Sequence, residues 1–396
     1  MARASESPLM AFLRRRDPRP KFSQLTIEQR AITIYSEGGQ YWPHFEGIIR
    51  EITEGHNLPV SFLTSSSSDP VLDDPPPRVL PFFIGEGFKR SYAFQTMEAG
   101  VVVATVPQIG TKLLPKSLRT EALGIKYLYV FHSMVSTHMA YEADAFDHFD
   151  TVFCTGPYME AEIRRREMMY GLPPKELVLH GYGRLDAIIR NRSESATNNS
   201  PPVVLVAPSW GPSCIFETCG SAVIAELLET GAEVIARPHP MTLKKSNGVI
   251  EELSKRFQAN PKFSLDLDVS SQDSLQRSDV MVSDWSGAAL EYAFGTLKPV
   301  LFIDVERKVN NQAYAELDIE PFESFIRDQI GEVVSPNNLA GIAPALLSLL
   351  KTSEQRRESI SALRDATISN LGNSAAIAAE LIVEKALTFI RAQGAR

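Results

Sequence analysis

The sequence predicts an α/β protein with two Rossmann-like domains that face each other across a cleft. First, short apolar runs with strand character alternate with helical segments along most of the chain. Second, this alternation begins twice, and the polar residues 191–202, which could not build a core, separate the two series. Third, residues 374–390 form a helical stretch rich in Ala, Leu and Ile that could pack back over the domain junction.

These observations divide the chain into five parts. The predicted order is a basic, disordered N-terminal tail (1–29), a first Rossmann-like domain (30–190), a linker (191–202), a second Rossmann-like domain (203–372) and a C-terminal helix (373–396). Strands are predicted at residues 31–35, 60–64, 79–84, 101–105, 127–131, 151–155 and 177–179, and then at 203–207, 233–236, 263–267, 279–283 and 299–304.

The composition favours an enzyme over a nucleic-acid binder. With 396 residues, 44% of them hydrophobic, the chain can bury sizeable cores. Its net charge of −8 argues against general binding to nucleic acid. Cys154, Cys214 and Cys219 have neither zinc-ligand nor disulfide spacing, and no signal peptide or membrane-spanning run is visible. We therefore expect a cytoplasmic protein.

A basic cluster lies near the N-terminus. Residues 14–21 contain four arginines and one lysine and follow the apolar residues 9–13. Two interpretations stay open, a disordered basic tail or a peripheral contact with the inner face of the cell membrane.

One strand–turn–helix unit, residues 279–293, contains the clearest candidate binding site. Its apolar strand breaks at a small polar turn that begins at Ser283, and an apolar helix follows. Such a turn lies at the carboxyl edge of a sheet, where the free N–H groups of the helix start can bind phosphate. Glu291, four residues after Gly287, shares that helix face and could reach a ribose hydroxyl. Alternatively, Ser283 or Asp284 merely caps the helix.

Histidines follow two other predicted strands. Arg237 and His239 come directly after the strand at 233–236, and a proline follows each of them. A cation and an imidazole at this place could hold a pyrophosphate and stabilise the charge that develops on a leaving group. His132 follows the strand at 127–131, where a neutral imidazole could accept the proton of an acceptor hydroxyl.

Two further expectations concern the nucleotide pocket and metals. Ser209 follows the strand at 203–207 and either lines the nucleotide pocket or only turns the chain. The sequence contains no P-loop, HExxH or GxSxG motif. No metal-ligand cluster is visible, so we expect no tightly bound metal, although Mg²⁺ could be recruited through the substrate.

The chain resembles the CDP-glycerol glycerophosphotransferase family in an ordered set of motifs: YSEGGQYWP, LTSSSSDP, FHS, HGYGRLD, APSW, RPHP and SDWSGAALEYAFGTLKPVLFID. These enzymes build glycerol- or ribitol-phosphate polymers of the teichoic-acid and capsule type. The resemblance covers roughly residues 30–330. It implies a GT-B architecture, with a nucleotide-activated donor on the C-terminal domain and a polymer, glycan or lipid-linked acceptor on the N-terminal domain.

The resemblance also implies a reaction. An acceptor hydroxyl, deprotonated by His132, would attack the phosphorus of a CDP-activated alditol, such as CDP-glycerol, and CMP would leave. His239 would contact the donor phosphates and Glu291 would hold the ribose. The residues that would line the phosphate site are Ser283, Asp284, Ser286 and Gly287.

Four positions depart from the pattern of the family. Ser133 and Gly183 stand where family members commonly have glycine and proline. Gly211 stands in place of a common arginine, and Gly287 in place of a second serine. Each departure lies near the expected phosphates or acceptor.

Other classes of protein share parts of this pattern. A sugar-transferring GT-B enzyme or a UDP-sugar 2-epimerase would use the same anion site with a different donor. Such an epimerase typically has a Ser-Gly-Gly-x-x-Glu-Glu run, and residues 286–292 lack its second Gly and second Glu. A nucleotide-sensing scaffold without turnover would have lost His132 or His239, and both are present.

Overall fold

The computed structural model describes residues 22–192, 200–268 and 271–395. In these residues, two sheets form the centres of two α/β domains. The strands of the first sheet are β1 (Ile32–Ser36), β2 (Val60–Thr64), β3 (Val79–Phe83), β4 (Val101–Ala104), β5 (Lys126–Val130), β6 (Thr151–Cys154) and β7 (Glu176–Leu179). Those of the second sheet are β8 (Val203–Val206), β9 (Glu233–Ala236), β10 (Phe263–Leu265), β11 (Val280–Ser283), β12 (Val300–Ile303) and β13 (Gly331–Val334).

Helices connect and cover these strands. In the first domain they are α1 (Ile27–Ala31), α2 (Trp42–Arg50), α3 (Gly87–Thr96), α4 (Thr120–Leu123), α5 (Pro157–Tyr170) and α6 (Gly183–Arg190). Those that follow are α7 (Ile215–Thr218), α8 (Gly220–Glu229), α9 (Pro240–Lys245), α10 (Asn247–Phe257), α11 (Asp273–Arg277), α12 (Gly287–Thr296), α13 (Phe322–Ile330), α14 (Ile342–Lys351), α15 (Ser353–Thr367) and α16 (Ser374–Gly394). Among the described residues, no helix combines the length and apolar character needed to cross a bilayer.

Both sheets are parallel and doubly wound. The strand order is β3-β2-β1-β4-β5-β6-β7 in the first sheet and β10-β9-β8-β11-β12-β13 in the second. From β1 to β3 successive strands are added on one side of the sheet, and from β4 to β7 on the other side. The second sheet has the same reversal of strand order between β8 and β11. In open α/β sheets, ligands bind outside the carboxyl ends of the strands at such a reversal. The loops after β1, β4, β5, β8, β9 and β11 are therefore the places where a site is expected.

The central strands are apolar because helices cover both of their faces. All residues of β4, β8, β11 and β12 are buried. Burying one Val, Leu or Phe side chain contributes about 1.5–3 kcal/mol. These strands therefore hold their carboxyl ends in fixed positions.

The C-terminal helix returns to the first domain, as predicted. Ala378, Ile382, Ala386 and Phe389 of α16 are buried in the same core as Ile34. The first three of these recur every fourth residue and so lie on one face of the helix. The start of α16 is fixed by Asp186 of α6, whose carboxylate accepts a hydrogen bond from the amide of Gly372 at 2.7 Å.

The start of the fold differs from the predicted tail. Residues 22–29, expected to be disordered, include a 3₁₀ turn (Phe22–Gln24) and the first part of α1. Thr26 and Gln29 form a capping box, in which each side chain bonds the other's backbone amide. The first domain therefore begins before residue 30, the predicted boundary. Residues 1–21, with the basic cluster, and residues 193–199 of the predicted linker lie outside the described residues.

Candidate active site

The two domains meet where the loop after β5 contacts the start of α12. A methyl group at Gly287 would lie 2.2 Å from Ser133 Oγ. Only glycine therefore fits at this position while Ser133 keeps its present rotamer. This contact places Ser133, the residue after His132, against the polar turn before α12 in the second domain. The structure thus places the predicted acceptor-side and donor-side motifs beside each other.

His132 is arranged as a neutral proton acceptor. Its Nδ1 lies 3.1 Å from the carbonyl oxygen of Thr105, and its ring packs edgewise against Tyr41. Because a carbonyl can only accept, Nδ1 carries the ring proton and Nε2 keeps a lone pair. Burial lowers the pKa of His132 below its ordinary value, although the Thr105 carbonyl and Glu291 act in the opposite direction. The imidazole is therefore neutral near pH 7, as a general base must be.

His239 is arranged as a neutral hydrogen-bond donor. It is the N-cap of α9, and its Nδ1 accepts a hydrogen bond of 3.1 Å from the amide of Met241. The ring proton must then lie on Nε2. Burial, followed by the charges of Lys308 and His132, lowers the pKa of His239 to about 4. His239 follows β9 at the carboxyl edge of the second sheet, as His132 follows β5 at the carboxyl edge of the first.

Two lysines that were not predicted from the sequence lie over Trp210, whose ring neighbours that of His239. The ring of Trp210 lies 6.2 Å from the ring of His239. Lys308 Nζ stands 4.0 Å and Lys245 Nζ 4.6 Å from the centroid of Trp210. Burial lowers the pKa of Lys308 to about 8, so it is still mostly protonated at neutral pH. Its place shortly after β12, at the carboxyl edge of the sheet, is the signal that could have identified it.

Hydrogen bonds join the turn after β11, which contains Ser283 and Asp284, to the loop after β8, which contains Ser209. Ser283 Oγ donates to the carbonyl oxygen of Ala207 at 2.7 Å. The buried carboxylate of Asp284 accepts hydrogen bonds from the amides of Ser209 at 2.7 Å and Ile215 at 3.1 Å. Burial raises the pKa of Asp284, although these amide bonds act in the opposite direction. These bonds therefore fix the loop that carries Trp210. The place of Ser283 and Asp284 in the phosphate site and of Ser209 in the nucleotide pocket stays a prediction.

Ser286, and not Ser283 or Asp284, caps the helix of this unit. Its side chain accepts a hydrogen bond of 3.3 Å from the amide of Ala288. The alternative interpretation of the turn was therefore right about a cap and wrong about the residue. Gly287 opens α12, so the helix begins at the residue that meets Ser133 across the domain contact.

Arg237 binds a loop of its own domain. Its guanidinium lies 3.3 Å from the carboxylate of Asp266 and donates to Ser274 Oγ at 2.8 Å. It also donates to the carbonyl oxygens of Asp268 at 3.2 Å and Ser271 at 2.9 Å. These bonds connect the end of β9 to the segment before α11. Contact of Arg237 with a pyrophosphate stays a prediction.

Glu291 joins the domains. Its carboxylate accepts one hydrogen bond from Tyr182 Oη and one from Arg184 Nε, both of 2.7 Å, and these partners belong to the HGYGRLD motif. The ion pair with Arg184 is mostly buried, and the charge of Glu291 raises the pKa of the Arg184 guanidinium. Each carboxylate oxygen has a second lone pair, so a ribose hydroxyl could still bind. The predicted ribose contact remains untested.

His44, at the start of α2, is a second imidazole near His132 that sequence reasoning did not select. The ring centroids are 6.2 Å apart, and the ring of Tyr182 lies 5.8 Å from that of His44. Burial, with the charges of Arg184 and His132, lowers the pKa of His44 well below its ordinary value. His44 is therefore a neutral polar side chain close to His132.

Metal ligands do not cluster in the described part of the chain. There, His, Cys, Asp and Glu side chains form no group of three or more that could hold a metal ion.

Several solved structures share the fold of this chain. MnaA of S. aureus in complex with UDP is 15% identical, with a TM-score of 0.58, over 91% of this chain and 96% of that chain. The UDP-GlcNAc 2-epimerase of Methanocaldococcus jannaschii, in complex with UDP-GlcNAc and UDP, is 14% identical (TM-score 0.55; 90% and 99% covered). A UDP-glucose: anthocyanidin 3-O-glucosyltransferase in complex with UDP is 10% identical (TM-score 0.55; 91% and 100% covered). At such identities the likeness concerns the fold alone, which is GT-B.

The family follows from the sequence. The family model described as CDP-Glycerol:Poly(glycerophosphate) glycerophosphotransferase matches residues 88–367. The chain belongs to this family, which makes it a transferase of the glycerophosphotransferase type. Among curated proteins, no sequence is significantly similar to this chain.

Proposed function

We propose that the protein transfers an alditol phosphate, glycerol phosphate from CDP-glycerol, to an acceptor hydroxyl during the synthesis of a teichoic-acid or capsule polymer. The observation that supports this most directly is the pair of neutral imidazoles with opposite tautomers, one after a strand of each domain. One of them can take a proton and the other can donate a hydrogen bond.

In the proposed reaction, the acceptor oxygen attacks the phosphorus that bears the glycerol. Nε2 of His132 removes the hydroxyl proton as the new P–O bond forms. The bond between this phosphorus and the bridging oxygen breaks, and CMP leaves with that oxygen. Nε2–H of His239, together with the charges of Lys308 and Lys245, stabilises the negative charge that grows on CMP.

The donor lies on the second domain in this proposal. The first-turn amides of α12 and Ser286 contact the phosphates, and Glu291 holds the ribose while it keeps its bonds to Tyr182 and Arg184. No metal is bound tightly, and Mg²⁺ would enter with the phosphates of the donor. The enzyme works in the cytoplasm at the inner face of the membrane, on a polymer, glycan or lipid-linked acceptor.

Thermal unfolding with nucleotides tests the donor. A ligand that binds only the native state stabilises it by about 2.7 kcal/mol at a hundred times its Kd. We expect CDP and CMP to raise Tm and UDP to have little effect at equal concentration. A larger shift with UDP would contradict the proposed donor and favour a sugar-transferring or epimerising enzyme. Release of CMP from CDP-glycerol in the presence of a glycerol-phosphate oligomer would then separate an enzyme from a nucleotide sensor.

A further inference from the structure

Two sequence motifs of the first domain take no part in the proposed reaction. Residues 35–43 contain the loop after β1, and residues 63–70 contain the serine-rich loop after β2. The two strands are neighbours in the sheet, and their loops touch, because a methyl group at Gly38 would lie 3.2 Å from Ser66 Cβ. Both loops lie at the carboxyl edge of the first sheet, where His132 follows β5.

Arg90 of α3 brings a positive charge to these loops. Its Nη1 donates to Tyr35 Oη at 3.4 Å and to Glu37 Oε1 at 3.2 Å. Tyr35 Oη in turn lies 2.9 Å from Ser65 Oγ. Of the three guanidinium nitrogens, only Nη1 has a hydrogen-bond partner among the described residues. A guanidinium carries five N–H donors, and its planar fork matches two oxygens of a phosphate, so most of the donors of Arg90 are unused.

The ion pair of Arg90 with Glu37 is exchangeable. The Glu37 side chain is 37% exposed and that of Arg90 is 21% exposed, and one carboxylate oxygen makes the contact. Exposed ion pairs of this kind contribute little to stability, whereas bidentate binding of a phosphate by arginine is stronger. A phosphate can therefore displace the carboxylate of Glu37, which then turns to solvent.

The loop after β1 connects Arg90 to the proposed base. Glu37, near its start, bonds Arg90, and the ring of Tyr41, near its end, lies 5.5 Å from the ring of His132. In the sheet, β4 separates β1 from β5. Neighbouring strands are about 4.8 Å apart, so the ends of β1 and β5 are roughly 10 Å apart. An acceptor whose hydroxyl meets His132 can thus place a phosphate, one unit further along its chain, at Arg90.

We propose that Arg90 forms a phosphate subsite for the acceptor, which Glu37 occupies until the acceptor binds. The subsite selects an acceptor that carries a phosphodiester next to its reacting unit, such as the end of a glycerol-phosphate chain, over a neutral alditol. This inference rests on the proposed function for the class of acceptor. Binding of the acceptor, however, requires neither a donor nor turnover.

Calorimetric titration of the full-length chain with a glycerol-phosphate trimer, without donor, tests the subsite. Triglycerol, which lacks phosphate, is the comparison ligand, and we expect it to bind at least about tenfold more weakly than the trimer. Arg90→Gln should weaken binding of the trimer by about 10–100-fold and leave the affinity for triglycerol unchanged. Arg90→Lys keeps the charge without the planar fork and should recover only part of the affinity.

Glu37→Gln is expected to act in the opposite direction. It removes the carboxylate that competes for Arg90, so the trimer should bind up to about fivefold more tightly. If the ion pair only stabilised the loop, Glu37→Gln and Arg90→Gln would change the affinity in the same way. Such parallel effects would overturn the proposal.

Arg119 provides a matched control in the same domain. It pairs with Glu98 at 3.0 Å, shortly before β5 and β4 and so at the amino edge of the same sheet. Arg119→Gln should bind the trimer like the unchanged protein. No binding of the trimer by the unchanged protein would contradict the subsite, and so would unchanged affinity of Arg90→Gln.

Two further outcomes separate the subsite from the donor site. If Lys308→Gln lost the trimer and Arg90→Gln kept it, the phosphate would bind on the second domain, against the proposal. Binding of the trimer that depends on Arg90, without release of CMP from CDP-glycerol, would support the subsite and contradict the proposed donor.

Discussion

Each domain carries a histidine in a loop that follows a strand of its sheet, and the two histidines have opposite hydrogen bonding at Nδ1. His132 follows β5 and His239 follows β9, each at the carboxyl edge of its sheet. Nδ1 of His132 faces a carbonyl oxygen, whereas Nδ1 of His239 accepts from an amide. The first arrangement leaves a lone pair on Nε2 and the second leaves a proton. The backbone partner of Nδ1, more than residue type or strand position, therefore separates a proton acceptor from a hydrogen-bond donor.

The largest effect is expected at His132. His132→Ala removes the proposed base and should lower kcat by about 10²–10⁴-fold. Activity requires the neutral ring, so it falls as the pH drops through the pKa of His132. Burial places this pKa below its ordinary value of about 6.5. The acidic limb of the kcat profile should therefore lie below pH 6.5 and flatten in the variant.

His56, exposed in the same domain, provides the control, and His56→Ala should leave the profile unchanged. Full kcat of His132→Ala with an unaltered acidic limb would remove His132 from the role of base. The base would then have to be sought among Glu37, His138 and Asp144. Of these, Glu37 is paired with Arg90 at 3.2 Å and His138 with Glu162 at 3.4 Å.

At His239 the two ring nitrogens can be tested separately. His239→Asn keeps an acceptor that can cap α9 in place of Nδ1 but removes the Nε2–H donor. We expect unchanged Tm and a loss of about 10²–10³-fold in kcat, as for removal of one donor to a developing charge. His239→Ala should lose both the activity and part of the stability. An Asn variant with normal kcat would show that His239 serves only as a helix cap.

Lys308 should act mainly on the donor. Lys308→Gln removes a half-buried positive charge beside Trp210 and His239. Loss of a charged hydrogen bond costs about 1.5–3 kcal/mol, so kcat/KM for the donor should fall by roughly 10–100-fold. Lys351→Gln, remote on α14, is the matched control. Equal donor kinetics in both variants would place Lys308 outside the site.

Glu291 tests whether the domain junction also binds the ribose. Glu291→Gln can keep the bond from Tyr182 Oη but weakens the ion pair with Arg184. Ribose contacts are made in ground and transition states alike, so KM for the donor should rise by about tenfold and kcat should change little. Unchanged KM with a collapsed kcat would contradict the ribose role.

The smallest effect concerns the contact between the domains. Gly287→Ala places a methyl group where Ser133 Oγ lies 2.2 Å away. The serine hydroxyl can rotate, so we expect a loss of less than about tenfold in kcat/KM. Adding Ser133→Ala removes the clash and should restore most of the activity. No difference between the single and the double variant would show that this contact is absent during turnover.

Much of the fold could be predicted from the sequence. The predicted limits of β2 and β9 coincide with the observed strands, and most other strands differ by one or two residues. Apolar runs between polar turns give this signal because both faces of a parallel sheet are buried. The start of α1 was missed because its capping box is a local signal without a long apolar pattern.

The side-chain partners within the site could not be predicted in the same way. Asp284 stands in the expected turn, yet its carboxylate binds the amides of Ser209 and Ile215. Sequence position locates a residue at the edge of a sheet but does not show which neighbouring loop its side chain meets. The departures Ser133 and Gly287 are a further example, because only the fold shows that they contact each other.

The proposed reaction requires that His132 and His239 are neutral and carry their protons on different ring nitrogens. Long-range ¹H–¹⁵N correlation spectra of the ¹⁵N-histidine-labelled protein near pH 7, assigned with His132→Ala and His239→Asn, measure this directly. We expect a protonated Nδ1 and an unprotonated Nε2 in His132, and the reverse in His239. The same tautomer in both rings, or a doubly protonated His132, would contradict the proposed reaction.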